Sequence, residues 1–405
     1  MTKPRAGIEE LLAGDISVAR FTSEFWEQKA LLLQGQPHRL QHLFSEERLH
    51  AYLKAADFPR ASHLLAYFDR HWNTAPVGQG ATVPTFAIGP EDAVSAYQAG
   101  ATVGVFKLEA GDQILRALCR GLRVGLGLSS EPTAAALWSP DQRGFGPHFD
   151  CIGTTILQLE GAKKWRYATI PAVPWPVSNA ALRGNVAHYF EIDDRTDPWE
   201  RQTDPRSLED WTEVTLTPGD VLFLPPGFWH TASAAGRSLA ITIQTQSTRA
   251  PEFFANLWRH QQRGSAWDRV PPLLAQGGLH GGLNQQAAAY LEQRVAELEA
   301  TIARWRADPA ALLARWAALE ATADPAPTSS VRSDTLVLSE TLRLLSAPDA
   351  PCLLVAAEGV VHRLEGAEAE TLRKALVLGR LRRSELASAD AGAVDALLAR
   401  RIFHG

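Results

Sequence analysis

Two short segments carry side chains whose types and spacing suit metal chemistry. The first is GFGPHFDC, in which His148 and Asp150 stand two residues apart. In an extended segment, side chains at i and i+2 face the same way, so an imidazole and a carboxylate project together. Gly144, Gly146 and Pro147 just before them fit an entry loop rather than a helix. The second segment is TPGDVLFLPPGFWHTAS, where a turn at Pro218-Gly219 launches an apolar strand. That strand ends at Pro225-Pro226-Gly227 and delivers His230. Two histidines and one carboxylate on one face of a metal leave three positions open, the donor set of non-haem iron(II) oxygenases. Alone, an HxD pair is a common coincidence and a histidine after a turn is usually a surface residue. In this order, on expected strands and with a basic residue nearby, they point to a metal. Zinc hydrolysis uses similar donors, but the basic residue argues against it.

That residue is Lys163 or its neighbour Lys164. A 2-oxo acid that chelates iron through its C1 carboxylate and keto oxygen leaves its far carboxylate inside the pocket. A buried anion there needs a cation or several hydrogen bonds. In LEGAKKWRY neighbours alternate between faces, so one lysine points inward and the other out. As ordinary surface charges, both would face solvent.

The elements around these motifs read as follows. From about Ala134 to Thr248 the chain is strand-rich, with TTILQLEG, KKWRYATI, WTEVTLT, DVLFLPP and SLAITIQTQ separated by turn signals. Short strands joined by tight turns predict an antiparallel sandwich or barrel. Before them, Phe21, Phe25 and Trp26 have helical spacing, LLLQG is a short strand, and SEERLHAYL is a helix capped by Ser45. After them, Pro251 to about Ala321 is helical, and Leu291, Val295, Leu298, Ile302 and Trp305 form an a/d seam. Pro309 interrupts, and a second helix carries Leu312, Leu313, Trp316 and Leu319. Both stripes suit packing on the protein's own core as well as self-association. ATADPAPTSS reads as a linker. Residues 331–405 read helix, two extended runs (CLLVAA and VVHRL), then three helices, an order like a winged helix. Ten Lys/Arg against ten Asp/Glu in that stretch give no positive footprint for nucleic acid.

Composition sets the outer bounds. The 405 residues allow two to three domains, 45% are hydrophobic, and the net charge is −5. Cys119, Cys151 and Cys352 are far apart, which excludes a cysteine zinc cage or disulfide framework and suits a reducing cytosol. The N-terminus lacks an apolar signal region and no long apolar run occurs, so a cytoplasmic protein without membrane attachment is expected.

With these residues in view, the chain resembles the JmjC-type branch of the cupin superfamily, specifically the ribosomal oxygenases, which hydroxylate arginine or histidine of ribosomal proteins. FTSEFWEQKALLLQG, GFGPHFD, LQLEGAKKW, PGDVLFLPPGFWH and RSLAITIQTQ carry the resemblance. It implies a double-stranded β-helix (cupin/JmjC jelly roll) over residues 1–250 with an N-terminal α/β flank. It also implies a helical dimerisation region over 251–325 and a winged-helix-like domain over 331–405. The same resemblance makes His148, Asp150 and His230 the Fe(II) ligands. It pairs Lys163, fifteen residues after the first histidine, with the distal carboxylate of 2-oxoglutarate, and gives Ser238 a second contact there. With O2 the implied reaction is oxidative decarboxylation coupled to hydroxylation. Other members often carry asparagine or tyrosine where this chain has Cys151, Ile152 and Thr154, and histidine where Ala240 stands. Those departures bear on the substrate and leave the triad intact.

Between the motifs, an insert from Pro171 to Glu213 holds Trp175, Trp199 and Trp211 beside Glu191, Asp193, Asp194, Asp197 and Glu200. Acidic and aromatic groups at a site mouth suit a cationic side chain, so a basic protein or peptide substrate is expected. As a solvated acidic loop the insert would only anchor itself to the barrel. Two other classes fit the same residues: a tailoring oxygenase acting on a biosynthetic peptide or small molecule, and a non-catalytic cupin binding module. A homodimer is the expected assembly, and direct nucleic-acid binding is not expected.

Overall fold

In the computed structural model the described residues are 7–246, apart from 56–57, 60, 69–77, 81–82, 127, 129, 184–185 and 190–202. Beyond these they are 253–255, 257–258, 285–309, 312, 335–338, 342–344, 352–357, 360–378, 381–382, 388–400 and 402–404. The chain divides into two units, Met1–Gln246 and Ser247–Gly405.

The first unit contains helices α1 (Ile8–Leu12), α2 (Val18–Glu24), α3 (Glu46–Leu53), α4 (Ala93–Gln98) and α5 (Gln113–Leu126). Ser17 and Ser45 cap α2 and α3 through their hydroxyls, as the sequence predicts for Ser45. Asp112 caps α5 by accepting from the Ile114 and Leu115 amides. Its partner Arg48 ties α3 to the same point. Leu115, Leu118, Cys119 and Leu122 recur at helical spacing along α5 and are all buried.

Thirteen strands form one continuous antiparallel sheet that folds over on itself. They are β1 (Leu31–Leu33), β2 (His63–Tyr67), β3 (Gly78–Gly80), β4 (Val83–Ile88), β5 (Thr102–Phe106), β6 (Thr133–Ser139) and β7 (Gly144–Phe149). The remainder are β8 (Gly153–Ala168), β9 (Ala180–Arg183), β10 (Val186–Tyr189), β11 (Trp211–Leu216), β12 (Val221–Leu224) and β13 (His230–Thr245). The sequence suggests that TTILQLEG and KKWRYATI are separate strands. They are instead one sixteen-residue strand, and β13 has the same length. Each long strand belongs to both leaves of a sandwich. The N-terminal part of β8 pairs with β12 and with the C-terminal part of β13, in the leaf that continues through β6, β5, β2 and β4 to β3. The C-terminal part of β8 pairs with β11 and with the N-terminal part of β13, which also holds β7 and, through it, β9. This is the jelly-roll sandwich expected from the resemblance.

Alternation sorts the side chains of the larger leaf. Leu64, Ala66, Val103, Val105, Leu157, Leu159, Val221, Phe223, Leu239 and Ile241 bury against the helices in one large core. Each such fully buried aliphatic contributes on the order of 1.5–3 kcal/mol. The opposite face, with Ile156, Leu222, Leu224 and Ala240, meets Trp165, Tyr167 and Ala232 from the smaller leaf. The site lies in this second, interior layer.

The second unit holds the long helix α6 (Gln285–Ala307). Leu291, Val295 and Ile302 of its seam are exposed, while Trp305 packs on Phe254 with ring centroids 5.6 Å apart. Leu313, Trp316, Leu319 and the 321–330 linker lie outside the described residues. The terminal region departs from the expected order. Where a leading helix is expected, Thr335–Leu338 forms strand β14, which pairs with Leu381–Arg382 and Phe403–His404. The short alternating TLVL run buries Leu336 between these partners, which outweighs any helical tendency. Strands Arg343–Leu344, Leu353–Ala357 and Val360–Leu364 form a second small sheet. Helices α7 (Gly366–Leu378) and α8 (Ser388–Ala399) follow among the described residues. No helix among the described residues is long and apolar enough to cross a membrane.

Candidate metal centre

β7 and β13 are antiparallel neighbours, and their register sets His148 directly opposite His230. A cross-strand pair presents its side chains on the same face, and the two rings lie 4.2 Å apart. Asp150 follows two residues after His148, just past the end of β7. Its Oδ2 is 3.7 Å from His230 Nε2. One potential ligand atom from each of the three residues lies within 4.8 Å of the others. The structure thus brings together the three residues singled out by their spacing.

The supports of the rings repeat each other. His148 Nδ1 stands 2.8 Å from the Gly146 carbonyl, and His230 Nδ1 stands 2.9 Å from the Phe228 carbonyl. A carbonyl only accepts, so each Nδ1 carries the proton and each Nε2 is left as a lone-pair donor. Burial, and then the neighbouring His148, push the His230 pKa down to about 4 against the opposing pull of Asp150, so its imidazole is neutral. The Thr154 hydroxyl donates to Asp150 Oδ2 at 3.4 Å. The two motifs are also bolted together through backbone, since the Gly227 amide donates to the Asp150 carbonyl at 2.8 Å. Gly227 has φ +81°, and a side chain there would run into the Val173 carbonyl, so the turn before His230 requires glycine.

Lys163 lies in the same interior and is fully buried, whereas Lys164 is exposed, as strand alternation predicts. Among the described residues no carboxylate pairs with Lys163. Its Nζ donates to Ser139 Oγ at 3.2 Å and sits 5.7 Å from the Phe145 ring. Burial lowers its pKa from 10.5 to about 8. Ser238 is buried directly opposite Ser139 in the β13–β6 register, where it accepts from Gln158 Nε2 at 3.0 Å. Thr102 donates to the Ser139 hydroxyl at 3.1 Å. Two buried polar atoms facing this layer, Gln158 Oε1 and Trp165 Nε1, have no hydrogen-bond partner among the described residues. A buried cation without a counter-charge, beside unsatisfied polar atoms, fits an anionic ligand reaching in from the metal.

Sequence reasoning missed Ser139, Thr102, Gln158 and Tyr67. Gln158 had a signal, as the one amide in the apolar run TTILQLEG. Ser139 had none, because it precedes Pro140 and reads as turn. Tyr67 belongs to a strand far away in the chain, and burial followed by the Asp150 charge raises its phenol above the usual value. The expected rim is only partly placed. Glu191, Asp193, Asp194, Asp197, Trp199 and Glu200 lie outside the described residues. Trp175 is exposed. Trp211 is covered by the protein's own Arg166, 5.4 Å from its ring, and Arg166 is paired with Glu213. That face is therefore already taken by a cation of this chain.

Residues 127–253 match the JmjC domain family. The sandwich and the triad are in keeping with this domain match. The chain is also similar to ribosomal oxygenases. Human ribosomal oxygenase 1 is 28% identical over 280 residues, which cover 68% of this chain and 38% of the human protein. The chain thus spans about two-fifths of that relative's length. An uncharacterised Bacillus subtilis protein, YxbC, is 25% identical over 257 residues, 60% of this chain and 72% of that one. Escherichia coli YcfD, a ribosomal oxygenase solved with cobalt and 2-oxoglutarate, superposes with a TM-score of 0.54. That superposition covers 96% of this chain and 98% of YcfD at 15% identity, a likeness of fold.

Proposed function

We propose that this chain is an iron(II)- and 2-oxoglutarate-dependent hydroxylase acting on a protein or peptide side chain. His148, Asp150 and His230 would hold the metal, and Lys163 the far carboxylate of 2-oxoglutarate. The observation that carries this reading is the fully buried Lys163 ammonium, which has no carboxylate partner among the described residues, in the same interior as the triad. When bound, iron, 2-oxoglutarate and O2 supply the oxidation: succinate and carbon dioxide leave, and one oxygen atom enters a substrate C–H bond. The protein's own part is positional. Carbonyl-held Nδ1 protons fix both imidazoles, Ser139 orients the Lys163 ammonium, and Ile156, Leu222, Leu224 and Ala240 exclude water from the interior.

A basic segment of a ribosomal protein is the substrate we favour, supported by the relatives' names and by the acidic insert in the sequence. The test is intact mass spectrometry of ribosomal proteins incubated with the chain, iron(II), 2-oxoglutarate and O2. A gain of about 16 Da on one protein, matched by succinate, is expected. A gain only on a biosynthetic peptide would move the assignment to a tailoring oxygenase. Absence of 2-oxoglutarate turnover under every condition would leave a binding module.

We also propose a homodimer formed through α6, supported by the exposed Leu291, Val295 and Ile302 on one long helix. Light scattering of the Val295→Glu variant against the unmodified chain tests it, with a halved mass expected.

A further inference from the structure

We propose that Asn179 is a positioning residue for the metal, holding the peptide unit after Asp150, and so the carboxylate, in place against the two imidazoles. This rests on the metal-binding part of the oxygenase reading and makes the insert between the two motifs a working part of the metal centre.

The Asp150 carboxylate gets little help from other side chains. Among the described residues one hydroxyl donates to it, that of Thr154, at a long 3.4 Å. Its place is therefore set by its backbone. That backbone has no ladder to hold it, since β7 ends at Phe149 and β8 begins only at Gly153. Both polar groups of the peptide unit after Asp150 are nevertheless taken. The Asp150 carbonyl accepts from the Gly227 amide at 2.8 Å, and the Cys151 amide donates to Asn179 Oδ1 at 2.6 Å.

Asn179 comes to this point through the sheet. β7 and β9 pair His148 with Ala181 and Phe149 with Ala180. One further step of that register would set Asn179 opposite Asp150. Strand pairing stops there, and the Asn179 side chain supplies the acceptor that a backbone carbonyl would have given, a substitution that short amide side chains make readily. Its oxygen is neutral, so it accepts without setting a second negative charge beside the carboxylate.

The contact closes a circuit of hydrogen bonds. The Ala172 amide, at the start of the insert, donates to the Gly227 carbonyl at 2.8 Å. Gly227 holds Asp150, and the next amide returns to the insert at Asn179. Gly227 also precedes Phe228, whose carbonyl fixes the His230 ring. Removing the Asn179 oxygen opens this circuit at the carboxylate, while both imidazoles keep their own carbonyl supports.

Cobalt(II) titration of the full chain, followed by calorimetry and visible absorbance, tests the role without any substrate. Asn179→Ala should bind cobalt about 10-fold more weakly, with melting of the metal-free protein close to that of the parent. Asn179→Asp restores an acceptor oxygen and should bind at least as tightly as the parent. Unchanged affinity in the alanine variant, or an aspartate variant as weak as alanine, overturns the proposal. The parent chain covers the case where the alanine variant does not fold. If the clamp favours the metal then the metal must favour the clamp, so cobalt should slow deuterium exchange at the Cys151 amide. Exchange there that is unchanged with cobalt bound also overturns the proposal. Absence of cobalt binding by the parent chain instead defeats the metal-binding reading, and the proposal with it.

Discussion

Replacing Lys163 with methionine should make the ligand-free protein more stable and nearly blind to 2-oxoglutarate. Burial takes the Lys163 amine from 10.5 to about 8, and each pH unit is worth about 1.4 kcal/mol. Holding that charge in the interior therefore costs the fold about 3 kcal/mol. The folded value lies below the unfolded one, so the cost is fully present below about pH 8 and fades as pH rises toward 10.5. Methionine keeps much of the volume and removes the charge, and its imperfect fit takes back about 1 kcal/mol. A net gain of about 2 kcal/mol in a unit of this size raises the melting temperature by roughly 4–8 °C at pH 7, and the gain shrinks by pH 10. With 2-oxoglutarate bound the sign reverses. Removing one partner of a buried ion pair costs about 3–5 kcal/mol, which weakens the dissociation constant by about a hundredfold or more. Thermal melts at both pH values and anaerobic titration of the charge-transfer band measure the two effects. A variant that melts lower than the parent without ligand, or a dissociation constant that moves less than tenfold, would refute the reasoning.

Other substitutions separate the parts of the site. Asp150→Asn removes the one carboxylate of the donor set, so cobalt(II) or iron(II) affinity measured by calorimetry should fall by more than about 100-fold, with melting little changed. Ser139→Ala deletes the hydrogen bond that Lys163 Nζ donates to Ser139 Oγ. It should weaken 2-oxoglutarate by roughly 2- to 13-fold while metal affinity in the same titration stays put. Gly161→Ala places a side chain against the Arg237 carbonyl at φ +65°. It should lower stability by about 1–3 kcal/mol and impair 2-oxoglutarate binding more than metal binding, because Lys163 is two residues away.

Much of this was readable because the chemistry follows a period of two. His148 and Asp150, and the opposite fates of Lys163 and Lys164, needed only strand alternation, and Ser45 needed only its position before an apolar helix. Long-range partners were not readable. Nothing in ALWSP places Ser139 under Lys163, and nothing in HLLAY places Tyr67 opposite Thr102, because β6–β13 and β2–β5 pairing create those neighbours. The cationic Arg166 over Trp211 was missed for the same reason: the two lie far apart in sequence and meet only through the β11–β8 register. The leading strand of the terminal region was missed because four residues of TLVL carry no period by themselves.

Alternation alone would in fact have put the wrong lysine inside. In the first half of β8 the inward residues are even-numbered, Ile156 and Gln158, while Leu157 and Leu159 face the helices. Continued without a break, that parity would aim Lys164 at the interior and Lys163 at the helix-covered face. The register with β13 slips between Ala240, opposite Gln158, and Leu239, opposite Glu160, and Gly161 follows in the left-handed region. This irregularity hands the inward face to the odd numbers Lys163, Trp165 and Tyr167. It also lies at the crease where β8 passes from one leaf of the sandwich to the other, so a single backbone feature both folds the sheet and chooses the cation. Lys163 pairs with Ala234, four residues from His230 along β13, or about 13 Å at the usual strand rise. The inward residue between them on β13 is the small Ala232. The crease fixes where the cation starts, and the strand between fixes how far it stands from the metal. The reach demanded of the 2-oxo acid is therefore a property of the sheet as much as of the two side-chain groups it joins.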